Sequence, residues 1–196
     1  YMANKGELKF TSYQNYSPNY HLSKVMGAGY EPGADWIEWG SGSAGWLYIY
    51  QMSGLEVYIH GYESEFSYRL NDIIRFDGSF SATRGENLTD NSSLYYMPPD
   101  RILLSTEINL LPFSINLMHK KVFSQNRIGF YESSTPGYET YNLIGTYTIR
   151  NSWAVHKIIL QIDNVFDRKY YNHLSRIKSI MPEKGRNIGL QYRLNF

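Results

Sequence analysis

The sequence predicts an all-β chain, a transmembrane antiparallel up-and-down β-barrel wall of about eight strands. Three observations carry this. Apolar residues recur with period two almost everywhere, connections alternate between very short and long, and aromatics, 16% of the 196 residues with 19 tyrosines, collect near predicted strand ends. The clearest alternation closes the chain, where Ile188, Leu190, Tyr192, Leu194 and Phe196 interleave with Asn187, Gly189, Gln191, Arg193 and Asn195. Upstream, Ile74, Phe76, Phe80 and Ala82 oppose Arg75, Asp77, Ser79, Ser81 and Thr83, and Ile102, Leu104, Ile108 and Leu110 oppose Arg101, Ser105, Glu107 and Asn109. Tyr141, Leu143, Tyr147 and Ile149 repeat the split against Asn142, Thr146, Thr148 and Arg150, as do Ile158, Leu160 and Ile162 against Lys157, Gln161 and Asp163.

Strands are expected near residues 7–22, 46–70, 73–86, 101–110, 113–128, 138–150, 153–163 and 186–196. Asn71-Asp72, Leu111-Pro112 and Asn151-Ser152 read as tight hinges on one side of the sheet. Gly27–Gly45, Gly85–Asp100, Gly129–Gly137 and Asp163–Gly185 read as long loops on the other. A soluble sandwich would turn the apolar face inward. Against it stand strands longer than the usual five or six residues and polar faces bearing both charge signs. Trp46, Tyr48, Tyr50, Met52, Tyr58, Tyr62, Phe66, Tyr68 and Leu70 also hold one phase for longer than a soluble core needs. A tilted membrane strand needs about 9–11 residues and is flanked by aromatic girdles, with the apolar face to lipid and the polar face to a lumen.

Composition excludes several classes. No window approaches the roughly 18 apolar residues of a membrane helix. A net charge of +1 offers no basic footprint for nucleic acid, and the absence of Cys removes disulfides, thiolate metal sites and cysteine nucleophiles. Tyr1 onward shows no signal peptide, so either one was removed or more chain precedes it. Enzymatic motifs are weak: Gly40–Gly45 (GSGSAG) lacks the nucleophile-elbow register, and Glu63 and Glu65, sharing one strand face, are read as lumen-wall acids. No catalysis and no cofactor are expected.

The C-terminal residues carry a specific pattern. Asn164-Val165-Phe166-Asp167, then Tyr170, the His173–Arg176 run (HLSR), Pro182, Gly185-Arg186-Asn187 and a last strand ending in Phe196 closely resemble the end of TonB-dependent outer-membrane receptors. Gly61-Tyr62-Glu63, Arg84–Asn87 (RGEN) and Met97-Pro98-Pro99 with Arg101 resemble that family's late hairpins, so the likeness covers residues 46–196 well and 1–45 weakly. It implies a bacterial outer-membrane barrel of about 22 strands around an N-terminal plug, energised through the TonB complex and taking up a scarce metal ion, siderophore or haem chelate. Residues 1–196 would be the C-terminal third, without the plug. A self-contained eight-stranded barrel, adhesive or structural, or an outer-membrane hydrolase, is the alternative.

Expected partners are outer-membrane lipid and lipopolysaccharide, the rest of the receptor with its plug, TonB, and the barrel-insertion machinery. That machinery would read Tyr192, Leu194 and Phe196 as an assembly signal. Trp36, Trp39 and Trp46 in a Gly-rich loop suit stacking on a flat ligand, or interface anchoring. His173, Arg176 and Lys178 in the basic last loop are further ligand-binding candidates, its cations suiting an anionic ligand, lipopolysaccharide or plain solvation. His21 and Met26 are the candidate metal ligands, since imidazole and thioether suit copper, zinc and haem iron.

Overall fold

The structure is a computed structural model and describes residues 5–28, 48–129 and 132–196. Among the described residues nine strands form one sheet: β1 (Gly6–Ala28), β2 (Tyr48–Arg69), β3 (Ile74–Asn87), β4 (Ser92–Ser93), β5 (Arg101–Leu110), β6 (Phe113–Val122), β7 (Tyr138–Arg150), β8 (Val155–Asp163) and β9 (Asn187–Asn195). Eight run as an antiparallel meander in the order β1-β2-β3-β5-β6-β7-β8-β9, and the two-residue β4, absent from the expected set, pairs with the end of β3. No described helix is long and apolar enough to cross a membrane.

Two of the three tight hinges fold for one reason. Asn71 Oδ1 accepts from the backbone N–H of Ile73 and Ile74, and Asn151 Oδ1 from that of Trp153 and Ala154, so each Asn side chain closes its own turn. Leu111-Pro112 joins β5 to β6 directly. The fifth expected strand ends at Val122 rather than 128: Phe123 N donates to Asp100 O and Gln125 pairs with Thr135, which draws the chain off the sheet into a cross-braced loop. β1 and β2 are longer than the family-sized crossing. β3 ends opposite Val57, so β2 from Tyr48 to Glu56 runs on with β1 as a two-stranded ribbon, roughly 30 Å at about 3.4 Å per residue.

Cross-strand register confirms the two faces. Ile74, Ile108, Ile115, Gly145, Leu160 and Leu190 lie in one row. Glu7, Ser67, Asp77, Ser105, Met118 and Asn142 lie in a row on the opposite face. Among the described residues the buried hydrophobics are only Leu55, Val57, Leu94, Val122 and Ala154, while Leu8 is 77% and Leu190 76% exposed. A sheet that leaves its whole apolar face uncovered lacks the core of a soluble sandwich; it is a wall whose apolar side needs lipid. Gly78 interrupts that side for a steric reason: the Phe66 ring lies across it where any Cβ would sit. Aromatics border the face at both ends, with Phe113 stacked near Tyr147 (4.8 Å) at the hinge side and His119 on Tyr141 (4.5 Å) at the loop side.

β1 and β9 are the sheet's outer strands and do not pair with each other. A self-contained eight-stranded barrel would need that pairing to close, and the described sheet is open.

Candidate functional site: the loop cluster above the wall

Three of the long loops converge through one carboxylate. Glu132, on the β6–β7 loop, receives backbone N–H from Tyr96 of the β3–β5 loop (3.2 Å to each oxygen) and from Gly129 (3.3 Å). From the β8–β9 loop come Lys178 Nζ at 3.1 Å and His173 Nε2 at 2.9 Å, both to Oε1. Side-chain exposures of 5% for Glu132, 8% for Lys178 and 1% for His173 make this a buried ion pair rather than a surface one. The distinction matters because an exposed pair contributes almost nothing and a buried one fails badly when halved. The Nε2 approach is short but out of line for a good hydrogen bond. At Nδ1 the ring meets Thr135 Oγ1 (3.0 Å) and Lys178 Nζ (3.3 Å); an ammonium has no lone pair to accept with, so Nδ1 is the acceptor and Nε2 carries the proton. Burial, then the Lys178 charge, hold the His173 pKa below 6.5, and Glu132 pulls it up without prevailing. The imidazole is therefore neutral at pH 7.

A second device anchors the last loop where it leaves and rejoins the sheet. Asn164 is buried and adopts positive φ (51°), a conformation Asn tolerates. Its Nδ2 donates to Arg168 O (2.8 Å), its Oδ1 accepts from Arg168 N (2.9 Å), and its own N–H donates to Asn142 Oδ1 (2.9 Å) on β7. Asp167 Oδ1 accepts from Arg186 N at 2.7 Å, and a Cβ on Gly185 would meet that same oxygen at 2.7 Å. Asn164, Asp167 and Gly185 thus form a staple across the base of a loop running from Asp163 to Asn187, which gives the quoted sequence pattern a structural reason. Asn164→Ala is expected to destabilise this loop by about 2 kcal/mol, since the backbone N–H and C=O of Arg168 both lose their partner. Faster amide exchange of Val165 and Arg168, with β5 and β6 unchanged, is the measurement; exchange at the native rate would show that the staple is dispensable.

The predicted site residues divide. His173 and Lys178 meet inside the cluster, paired to Glu132, whereas Arg176 stands exposed on the same loop. His21 is exposed on β1; Met26 lies on β1 beyond the residues whose side chains are described; and Trp36, Trp39 and Trp46 lie outside the described residues. Among the described residues no three His, Asp or Glu side chains converge on a common point. Tyr192 and Leu194 occupy the outward phase of β9, and Phe196 is 97% exposed beyond it. Sequence reading missed Glu132 and Thr135. The available signal was charge balance: Glu132 is the sole acid between Phe123 and Gly137, facing a last loop rich in Lys and Arg.

No family model matches the chain. The metal-pseudopaline receptor CntO of Pseudomonas aeruginosa is 22% identical over 164 residues, covering 75% of this chain and 22% of that protein. Among solved structures, the copper transporter OprC aligns over 99% of this chain and 29% of its own, at a TM-score of 0.77 and 20% identity. The pyoverdine outer membrane receptor FpvA from Pseudomonas aeruginosa PAO1, bound to pyoverdine, aligns over 100% of this chain and 28% of its own, at 0.70 and 16%. The chain therefore spans less than a third of the proteins it resembles. In architecture, strand order and loop placement, it has the fold of the barrel wall of TonB-dependent outer-membrane receptors.

Proposed function

We propose that this chain is the C-terminal part of a bacterial outer-membrane receptor that takes up a scarce metal, as ion or chelate, with energy supplied through TonB. The observation that carries the reading is a sheet with one apolar and one polar face, outer edges of β1 and β9 without a strand partner among the described residues, and a cross-linked cluster of long loops at one end. Free edges cannot persist in lipid, so further strands of the same receptor would pair with β1 and β9, and its N-terminal plug would fill the lumen. That ligand class is supported by the likeness to the metal-pseudopaline receptor CntO, the copper transporter OprC and the ferripyoverdine receptor. In this reading Trp36, Trp39, Trp46 and Arg176 touch ligand, with His21 and Met26 as the candidate metal ligands. His173 and Lys178 act through Glu132 as positioning residues. A strain lacking the intact receptor should lose accumulation of one radiolabelled metal chelate under metal limitation, and dissipating the proton gradient should abolish the same uptake in the parent. Unchanged accumulation of iron, copper and zinc chelates in that strain would refute uptake.

β9 also fits the role of an assembly signal. All nine of its residues are exposed and its outer edge is unpaired, so a template strand can hydrogen-bond to it while pockets accept Tyr192, Leu194 and Phe196. Phe196→Ala in the intact receptor is expected to lower the amount of inserted barrel several-fold while leaving the thermal midpoint of inserted molecules nearly unchanged. Wild-type levels with a lowered midpoint would make Phe196 a membrane anchor instead.

A further inference from the structure

At the hinge end of the luminal face three cations stand side by side across three strands. Lys157 on β8 lies directly opposite Arg193 on β9. On its other side Lys157 lies opposite Thr148 of β7, two residues from Arg150, so Arg150 is its diagonal neighbour. Directly opposed Cβ atoms are about 5 Å apart and diagonal ones about 7 Å, close enough for like charges to repel. Among the described residues none of the three side chains has an ion pair or a hydrogen-bond partner; Arg150 and Arg193 are exposed and Lys157 is half-buried.

The remaining luminal cations of the strands all have an acid at hand, which sets this cluster apart. Lys9 lies opposite Glu65 and meets Glu7 at 3.2 Å. Arg69 lies opposite Arg75, but Arg75 meets Asp77 at 2.8 Å and lies opposite Glu107. Lys120, beside Arg101, is in the field of Glu183. Around Arg150, Lys157 and Arg193 the adjoining luminal positions are Thr146, Thr148, Val155, Ile159, Gln191 and Asn195, none of them acidic. The luminal acid of β8 is Asp163, six residues from Lys157, about 20 Å at 3.4 Å per residue. Short turns mark the periplasmic end of an outer-membrane barrel, so the cluster lies at the periplasmic mouth of the lumen.

We propose that Arg150, Lys157 and Arg193 form a seat for an acidic segment of the receptor's own plug at the periplasmic mouth of the lumen. The inference rests on the receptor reading and names the chemistry by which this part of the wall grips its plug. Three adjacent cations destabilise an empty wall and stabilise one in which carboxylates lie over them. Each Arg fork matches a carboxylate bidentately, and the Lys ammonium between them adds a point charge. A carboxylate on a further strand paired to β9 would reach Arg193, but that strand would stand about 14 Å from Arg150, three strands away at 4.8 Å each. A segment lying across the luminal face reaches all three, and the plug is the part of the receptor that occupies that space.

The test is carbodiimide coupling in the intact receptor in lipid vesicles, which joins an amine directly to a carboxylate in contact with it, followed by peptide mass spectrometry. Lys157 should couple to an Asp or Glu of a plug peptide, and Lys157→Gln should abolish that product. Arg193→Lys and Arg150→Lys should each add a new product with the same plug peptide. The 2.8 Å pair of Lys121 with Glu139 serves as the internal control for coupling. In the triple variant R150Q/K157Q/R193Q, proteolysis of the plug should quicken by about tenfold or more while the amount of inserted barrel stays at the wild-type level. Coupling of Lys157 to a strand beside β9 would assign the cluster to barrel closure and overturn the plug seat. Absence of any Lys157 product while Lys121 couples to Glu139 would overturn it as well, as would wild-type plug proteolysis in the triple variant. Uptake is judged separately, by the accumulation experiment above, so failure of the seat leaves that reading standing.

Discussion

Replacing Glu132 with Ala should release three loops at once. The substitution strands the Lys178 ammonium in a site where its side chain is 8% exposed, removes the acceptor for Tyr96 N and Gly129 N, and leaves His173 beside an uncompensated cation. Halving a buried pair in this way typically costs about 3–5 kcal/mol. The cost falls on the loop cluster, because the strand ladders do not depend on Glu132. Amide exchange should accelerate by two or more orders of magnitude across the β3–β5, β6–β7 and β8–β9 loops while β5–β8 keep their protection, and ligand capture should fall with barrel abundance unchanged. Protection of Tyr96 and Gly129 at wild-type levels in Glu132→Ala would show that the loops are held by something else. A pH dependence follows from the same site. His173 is neutral in the packed state with its pKa held below 6.5, so its contribution is complete above about pH 6.5 and is lost as pH falls through the depressed folded value. Loop protection should therefore decline on acidification in the parent and decline less in His173→Gln.

The second large effect concerns the faces of the wall. Leu104→Arg or Leu160→Arg places a guanidinium on the apolar side, in the rows that contain Phe66 and Leu190 respectively. Near the bilayer midplane this is expected to cost about 2–4 kcal/mol. Gln161→Arg, one residue from Leu160 on the luminal side, should cost less than about 1 kcal/mol. Asn142, though also luminal, is an unsuitable control because its Oδ1 accepts from Asn164 N and supports the loop staple. Reversible unfolding in lipid vesicles gives the comparison; a larger loss for Gln161→Arg than for Leu160→Arg would mean that the faces are reversed.

The parts of this architecture legible in the sequence are those that depend on local period and local hydrogen bonding. Alternation assigns Leu104, Leu160 and Leu190 to one face because side chains in an unbulged strand alternate, and Asn71 and Asn151 announce their hinges because each closes its own turn. Strand ends were less legible. The alternation past Val122 continues on paper, but Phe123 and Gln125 find partners in other loops, and a contact across tens of residues leaves no local mark. The Glu132 cluster failed to appear for the same reason: its members come from loops separated by up to 82 positions, Tyr96 to Lys178. The sequence marks His173 and Lys178 as ligand-binding candidates of a solvated loop, and the structure packs both against Glu132. A charged loop residue is ordinarily solvated, and only the buried carboxylate explains why these two are not.

The most direct test of the account is a periodicity measurement along β8 and β9. The chain has no Cys, so single spin labels can be placed at each position from 156 to 162 and from 188 to 194 in the intact receptor reconstituted in lipid. Their accessibility to molecular oxygen, which partitions into the bilayer, is compared with that to a water-soluble nickel chelate. Oxygen accessibility should peak at 158, 160, 162, 188, 190, 192 and 194, with nickel accessibility peaking at 157, 159, 161, 189, 191 and 193. Peaks in the opposite phase, or nickel access at every position, would contradict a lipid-facing apolar side and with it the barrel-wall reading.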